Sequence, residues 1–187
     1  ELRGGGPGQH CGVPMRCRHL VSLLLAIFAG AEPWAAEREI NRVFAVESGC
    51  VLSIDTHRGE ISVEESDRNE VRVTVLLDAV AASDPAAERL LEQIRVEMEQ
   101  RGNRITLVTR NPAESGLRFT WSEEDRVNFI IRISVPRRCD VEIKAIEASV
   151  TVGNLSGRMN ARVETGRVFF RRIDGSVNAR VDFGDLI

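Results

Sequence analysis

The run from Leu155 to Val168 is written again from Ile173 to Leu186, and no other feature narrows the choice of fold as much. Leu155, Gly157, Met159, Ala161, Val163, Gly166 and Val168 return 18 residues later as Ile173, Gly175, Val177, Ala179, Val181, Gly184 and Leu186. Within them Asn160-Ala161-Arg162-Val163 recurs unchanged as Asn178-Ala179-Arg180-Val181, and a looser copy, Val141, Ile143, Ala145, Ala148 and Val150, lies one interval earlier. Apolar residues alternating at a fixed short period, punctuated by Gly, mark a β-solenoid in which each repeat is one coil stacked on the last. The expectation is an all-β chain: a β-solenoid with coils of about 18 residues, preceded by an N-terminal β-rich segment with one short helix.

Alternation sends Met159, Ala161 and Val163, with Val177, Ala179 and Val181, to the interior, each about 4.8 Å from its equivalent. Burial of the larger ones contributes about 1.5–3 kcal/mol apiece, enough to order the coils without metal or cofactor. Gly157, Gly166, Gly175 and Gly184 fall at corners, where a missing Cβ permits positive φ or close backbone approach. On the outward phase Lys144, Arg162 and Arg180 form a cationic row, flanked by Glu142, Asn160 and Asn178. A second outward row holds Thr151, Phe169 and Ile187. Stacked like charges repel, so the cations need counter-ions, Glu164 and Asp182 nearby, or an anionic partner. A solvated row neutralised by those acids is the plainer reading. Lys144, Arg162, Arg180 and Phe169 are the candidate binding residues.

Before the repeats, period-two patterns predict short strands around Val43 and Ala45, Cys50 to Ile54, Ile61 to Val63 and Val71 to Val75, with Gly49 and Gly59 where the chain reverses. Asp84 is suited to cap a helix and Pro85 to open it, with Ala86 to Gln93 following. Beyond Ile94 both helical and strand spacings fit. The turn Arg101-Gly102-Asn103 favours a hairpin, with Ile105-Thr106-Leu107 as the returning strand. Asn111 to Asp125 reads as a polar loop carrying Phe119 and Trp121, and Val127 to Val135 as a long strand stopped by Pro136.

Residues 1–14 are Gly-rich without hydrophobic period and read as disordered upstream sequence. Residues 15–36 read as a signal peptide: Arg16 and Arg18 precede the apolar run Leu20 to Ala31, which is shorter than the about 20 residues a membrane helix needs. Cleavage is expected after Ala31 or Ala36, leaving residues 37–187 as one exported domain, periplasmic or at the cell surface. The chain stops at Ile187 in mid-coil without a polar cap, so further coils are expected beyond it.

The net charge is -3 and no basic stripe stands beside aromatic residues, so no nucleic-acid partner is expected. His57 is the only histidine after the expected cut. One His and two distant cysteines do not space a metal site, and no nucleophile pattern accompanies His57, so catalytic residues, metal and cofactor are all read as none. Cys50 and Cys139 survive export, and an oxidising compartment permits a disulfide between them, contributing roughly 4 kcal/mol. Two separate buried thiols are the simpler alternative.

The Gly59-Glu60-Ile61-Ser62-Val63 segment, the Ile133-Ser134-Val135-Pro136 entry into the repeats and the Gly-x-Val/Leu turns at Gly166 and Gly184 give residues 43–187 a pattern that resembles the bacterial putative-adhesin domain family. That resemblance implies an exported β-solenoid without established catalytic residues. The function expected is a non-catalytic envelope protein, an adhesin-like binding or scaffold module, whose partner is an envelope protein, a glycan or a lipid headgroup. A polysaccharide-acting β-helix hydrolase or lyase is the alternative, with Glu164 and Asp182 stacked outward and Asp174 and Asp185 nearby. Carboxylates one coil apart approach the roughly 5–9.5 Å separation of glycoside hydrolysis. Ordinary solenoid surfaces carry such rows too, and fold alone does not establish chemistry.

Overall fold

The computed structural model describes residues 34–111 and 126–187. In chain order these form β1 (Trp34–Ala45), β2 (Cys50–Ser66), β3 (Glu70–Ala81), α1 (Asp84–Gln93), β4 (Arg95–Arg101) and β5 (Arg104–Arg110). After residue 125 come β6 (Arg126–Pro136), β7 (Cys139–Val152), β8 (Leu155–Ser156), β9 (Met159–Phe170), β10 (Ile173–Asp174) and β11 (Val177–Leu186).

The repeat reappears as strand register. β9 and β11 run parallel with Met159 opposite Val177, Ala161 opposite Ala179 and Val163 opposite Val181. β7 lies parallel on the other side of β9, with Val141 opposite Met159 and Ile143 opposite Ala161. β2 extends the series although it lies far upstream: Leu52 faces Val141, Ile54 faces Ile143 and Ile61 faces Val150. Short β8 and β10 pair in parallel as a separate ribbon at the same interval, Leu155 opposite Ile173.

All four long strands bend at one level. The pairing skips His57, Ile146, Glu164 and Asp182, then resumes through Gly59 opposite Ala148, Ala148 opposite Gly166 and Gly166 opposite Gly184. Gly59 was expected at a chain reversal, but its φ of 138° instead turns a corner inside one continuous strand. The bend gives β2 different partners on its free side, β5 along residues 51–55 and β6 along residues 60–66.

A solenoid running the length of the chain is not what forms, because the main sheet is mixed. β3 pairs antiparallel with both β1 and β6, and β4 pairs antiparallel with β5. The short links between β1, β2 and β3 and between β4 and β5 allow antiparallel return, whereas each parallel neighbour demands a longer crossing. What the chain builds is an all-β body with one short helix.

The core is one apolar cluster drawn from both parts, with Leu52, Ile54, Ile61, Val73, Leu77, Leu107, Ile131, Ile143 and Met159 all fully buried. Met159, Ala161 and Val163 are inside as alternation requires. Their counterparts on β11 are not: Val177 is 45 % exposed and Ala179 and Val181 only partly covered, since β11 bonds to a strand on one side alone. α1 covers β1 and β3 with Ala87, Leu90 and Leu91. Ser83, not Asp84, occupies its cap position; it makes no side-chain capping bond, and its carbonyl accepts from the Ala86 and Ala87 N–H groups. The expected hairpin after Ile94 is present as β4 and β5, Met98 opposite Leu107.

Most of residues 15–36 lies outside the described residues, as does the loop carrying Phe119 and Trp121. β1 opens at Trp34, pairing with Ala81. A cut after Ala31 therefore leaves β1 whole, while a cut after Ala36 would remove its first three residues.

The corner glycine sets the first test. At Gly166, with φ of 139°, an added Cβ would lie 1.9 Å from the Ala148 carbonyl oxygen. Gly102, with φ of 59°, has nothing within 4 Å of that position. Gly166→Val is expected to cost at least about 3 kcal/mol and Gly102→Ala about 1 kcal/mol, read as urea midpoints followed by circular dichroism.

Candidate functional site

Register builds the outward face as directly as it builds the core. Asp55, Lys144, Arg162 and Arg180 stand in one row across β2, β7, β9 and β11, and Ser53, Glu142, Asn160 and Asn178 stand in the next. The three predicted cations are thus brought together, about 4.8 Å apart at the backbone, close enough that their repulsion must be answered.

Each neighbour in the row answers it differently. Lys144 Nζ lies 3.1 Å from Glu142 Oε1, two residues back on its own strand. Arg180 Nε donates to Asp182 Oδ1 at 2.6 Å, two residues forward. Arg110, from the end of β5, donates to both oxygens of Asp55 at 3.0 and 2.8 Å and closes the row's near end. Arg162 is left over: Asn160 stands where Lys144 has an acid, Glu164 does not reach it, and among the described residues it has no ion pair or hydrogen bond. Of the two acids expected to neutralise the row, Asp182 does so and Glu164 does not.

Arg162 and Glu164 face a groove of about 470 Å³ where the strands bend. Asp55, His57, Arg110, Asn111 and Lys144 complete its polar lining. Thr56 anchors the floor: 2 % exposed, it exchanges a 2.6 Å hydrogen bond with buried Thr109 and donates to the Arg58 carbonyl. A shallower depression continues along the row past Asn160, Arg162, Asn178 and Arg180. The lining sets the Arg162 guanidinium among the Asp55 and Glu164 carboxylates and neutral polar groups.

Phe169 stands apart from this groove, on the other side of the bend, opposite Thr151 and 39 % exposed. The carboxylates weighed for hydrolysis are mostly engaged. Asp174 lies 3.8 Å from Arg172, Asp185 lies 3.4 Å from Arg167, and Asp182 holds Arg180. Among the described residues no group of His, Cys, Asp and Glu could hold a metal ion. Cys50 and Cys139 lie together in the core, register partners on β2 and β7.

Sequence reasoning missed two residues of the site, Asp55 and Arg110, because their pairing spans 55 positions and crosses from one strand to another. It also missed the clamp at the start of β9. There Asp140 accepts the Arg158 backbone N–H at 2.8 Å and its guanidinium at 3.0 and 2.7 Å. That pair is one repeat interval apart, the signal that could have revealed it.

No family model matches the sequence, and no curated protein matches it. Solved structures are found as similar chains. A putative cell adhesion protein from Clostridium sporogenes ATCC 15579 is 9% identical with a TM-score of 0.39, over 80% of this chain and 98% of that one. A putative adhesin from Bacteroides fragilis NCTC 9343 is 15% identical with a TM-score of 0.35, over 75% of this chain and 61% of its own. A putative lipid binding protein from Parabacteroides distasonis ATCC 8503 is 10% identical with a TM-score of 0.34, over 76% and 62% respectively.

The two arginine-bound carboxylates make stability depend on acidity. The Arg158 backbone N–H and then its side chain hold the Asp140 carboxyl below its usual range, and the Arg110 hydrogen bonds do the same for Asp55. A depressed carboxyl contributes stability that is complete above its unfolded value of about 3.9 and lost as pH falls through the lower folded value. Asp140→Asn is expected to destabilise by up to about 1 kcal/mol at neutral pH. Urea melts of the two proteins should converge as pH falls below the lowered folded value, where the folded carboxyl too is protonated.

Proposed function

We propose that this chain is a non-catalytic, exported module of the cell envelope, adhesin-like in the sense that it binds, and that it holds an anionic group of its partner at Arg162. One observation carries the reading: in a row of three stacked cations the middle one alone has no counter-ion among the described residues, and it faces a groove. A guanidinium offers a planar fork of donors that matches carboxylate or phosphate oxygens. Glycans, lipid headgroups and acidic protein segments all present such groups.

Two features of the chain support the remainder. The basic, then apolar stretch of residues 15–36 has the composition of a signal peptide, which supports reading the mature domain as exported. The parallel part, with register at 18-residue intervals and a glycine column at its bend, is read as stacked solenoid coils carrying a repetitive surface. The antiparallel β1, β3 and β6 widen one wall of that stack, and the β4 and β5 hairpin supplies Arg110 to the groove.

Retention on cell-envelope fractions measures the proposal. Arg162→Ser is expected to weaken retention about ten-fold, the loss of one charge-assisted hydrogen-bonded contact, and raising salt should weaken the parent protein in the same direction. Arg162→Ser with Arg180→Ser should weaken it further, while Arg89→Ser on exposed α1 should leave it unchanged. Equal retention of parent and double variant at matched folding, judged by circular dichroism, would remove the cationic row as the binding surface.

A further inference from the structure

Cys50 and Cys139 are the first register partners where β2 meets β7. In parallel neighbours the α-carbons of such partners lie about 4.8 Å apart, within the roughly 4.4–6.8 Å range that a disulfide spans. Both side chains point to the interior, 0 % and 1 % exposed, and the sulfur atoms stand 2.7 Å apart. The backbone locks this arrangement from outside the pair: the Gly49 N–H donates to the Arg138 carbonyl at 2.9 Å, and the Val51 N–H to the Asn103 carbonyl at 3.0 Å. No strand has to move for the sulfurs to bond.

We propose that Cys50 and Cys139 form a disulfide that staples β2 to β7, joining the N-terminal mixed part of the fold to the parallel stack. The two alternatives left open by the sequence, a bridge or two separate buried thiols, differ in what geometry they require. Separate thiols need no common register, whereas here one residue on each strand is Cys and the two fall opposite each other although 89 positions apart in sequence.

The chemistry is a pair of thiol–disulfide exchanges. Cys50 is the better attacking group: its hydrogen bond with Cys139 holds its thiol below the usual value, while that same bond and burial push Cys139 up. The Cys50 thiolate attacks one sulfur of a disulfide-bearing oxidant, forming a mixed disulfide and expelling one thiolate. Cys139, deprotonated, then attacks the Cys50 sulfur and expels the second. Two protons and two electrons leave the pair, and the oxidant is reduced to two thiols. Burial means that the exchange occurs before β2 and β7 close on each other or during local opening, and that the finished bond is shielded from reductant.

Export explains where an oxidant would be met, but the test supplies one, so its outcome does not depend on localisation or on the Arg162 groove. The full chain carrying Cys11→Ser and Cys17→Ser is refolded with oxidised glutathione, alkylated under denaturing conditions, digested with trypsin and weighed. Expected is a linked pair of peptides, residues 43–58 and 139–144, two hydrogens lighter than their sum, which separates on reduction. Reduction should also lower the thermal midpoint by about 10 °C, the effect of opening so long a loop. A protein that melts cooperatively yet yields both peptides alkylated overturns the proposal. So does a bond found between two chains on a non-reducing gel. Cys50→Ala with Cys139→Ala should melt at a midpoint insensitive to reductant; a reductant-dependent shift that persists in it would equally count against the staple.

Discussion

Register between β2, β7, β9 and β11 is the constraint from which the rest follows. Side chains on a strand alternate faces, so a slip of one residue would carry every interior side chain to the outside. The columns Leu52, Val141, Met159 and Ile54, Ile143, Ala161 admit no such slip, because each member is buried against the next. Two further devices hold the same alignment by other means. At the bend, Gly166 allows the backbone to lie against the Ala148 carbonyl, which a Cβ would prevent. At the start of β9, Arg158 reaches back one interval to Asp140. Hydrophobic burial, close backbone packing and a charge-assisted clamp thus specify one pairing, and agreement among independent terms is what separates a unique fold from its competitors.

The same alignment creates a difficulty on the outside, where like residues meet like. A row of Lys144, Arg162 and Arg180 cannot be relaxed by shifting strands, so the relief has to come from within each strand. Residues two apart share a face, which makes positions 142 and 160 or 164 and 182 the available partners. The repeat is imperfect at just these places: Glu142 has become Asn160 and Asn178, while Glu164 and Asp182 preserve an acid at the bend. Lys144 turns backward, Arg180 turns forward, and Arg162 inherits an amide on one side and an unengaged acid on the other. That Arg162 stands unpaired in this row, among the described residues, is therefore a consequence of where the repeat decays.

Much of this was written in the sequence, and the reason is the short exact interval. Seven positions recurring at 18 residues specified the parallel pairing of β9 and β11, and the weaker copy specified β7. The Gly59-Glu60-Ile61-Ser62-Val63 segment also lies in register with Gly166-Arg167-Val168-Phe169-Phe170, the two aligning through β7. What stayed hidden was non-local. Nothing near Gly59 distinguishes a corner within a strand from a reversal between strands, because positive φ serves both. The pairing of β2 with β5 and β6, the antiparallel β1 and β6 about β3, and the Arg110 bond to Asp55 all join segments whose separation follows no period. The helix shows a smaller version of the same limit, for Asp84 and Ser83 are both acceptable caps by type, and only backbone geometry assigns the position to Ser83.

That division between periodic and non-periodic contacts bears on where binding can arise. A stack of identical coils offers a uniform row, and a uniform row has no preferred place along it. The groove lies where the non-repeating part meets the repeats: Arg110 arrives from the β4 and β5 hairpin, Asp55 and His57 from β2, and Lys144, Ile146, Arg162 and Glu164 from the stack. Arg162 is held between Ala161 and Val163, both buried, so its stem leaves a backbone that packing has already fixed. A guanidinium positioned by two interior neighbours loses less freedom on meeting an anion than one on a loose segment. The proposed site accordingly takes its character from the junction, with periodic order supplying rigidity and the aperiodic segment supplying distinctness.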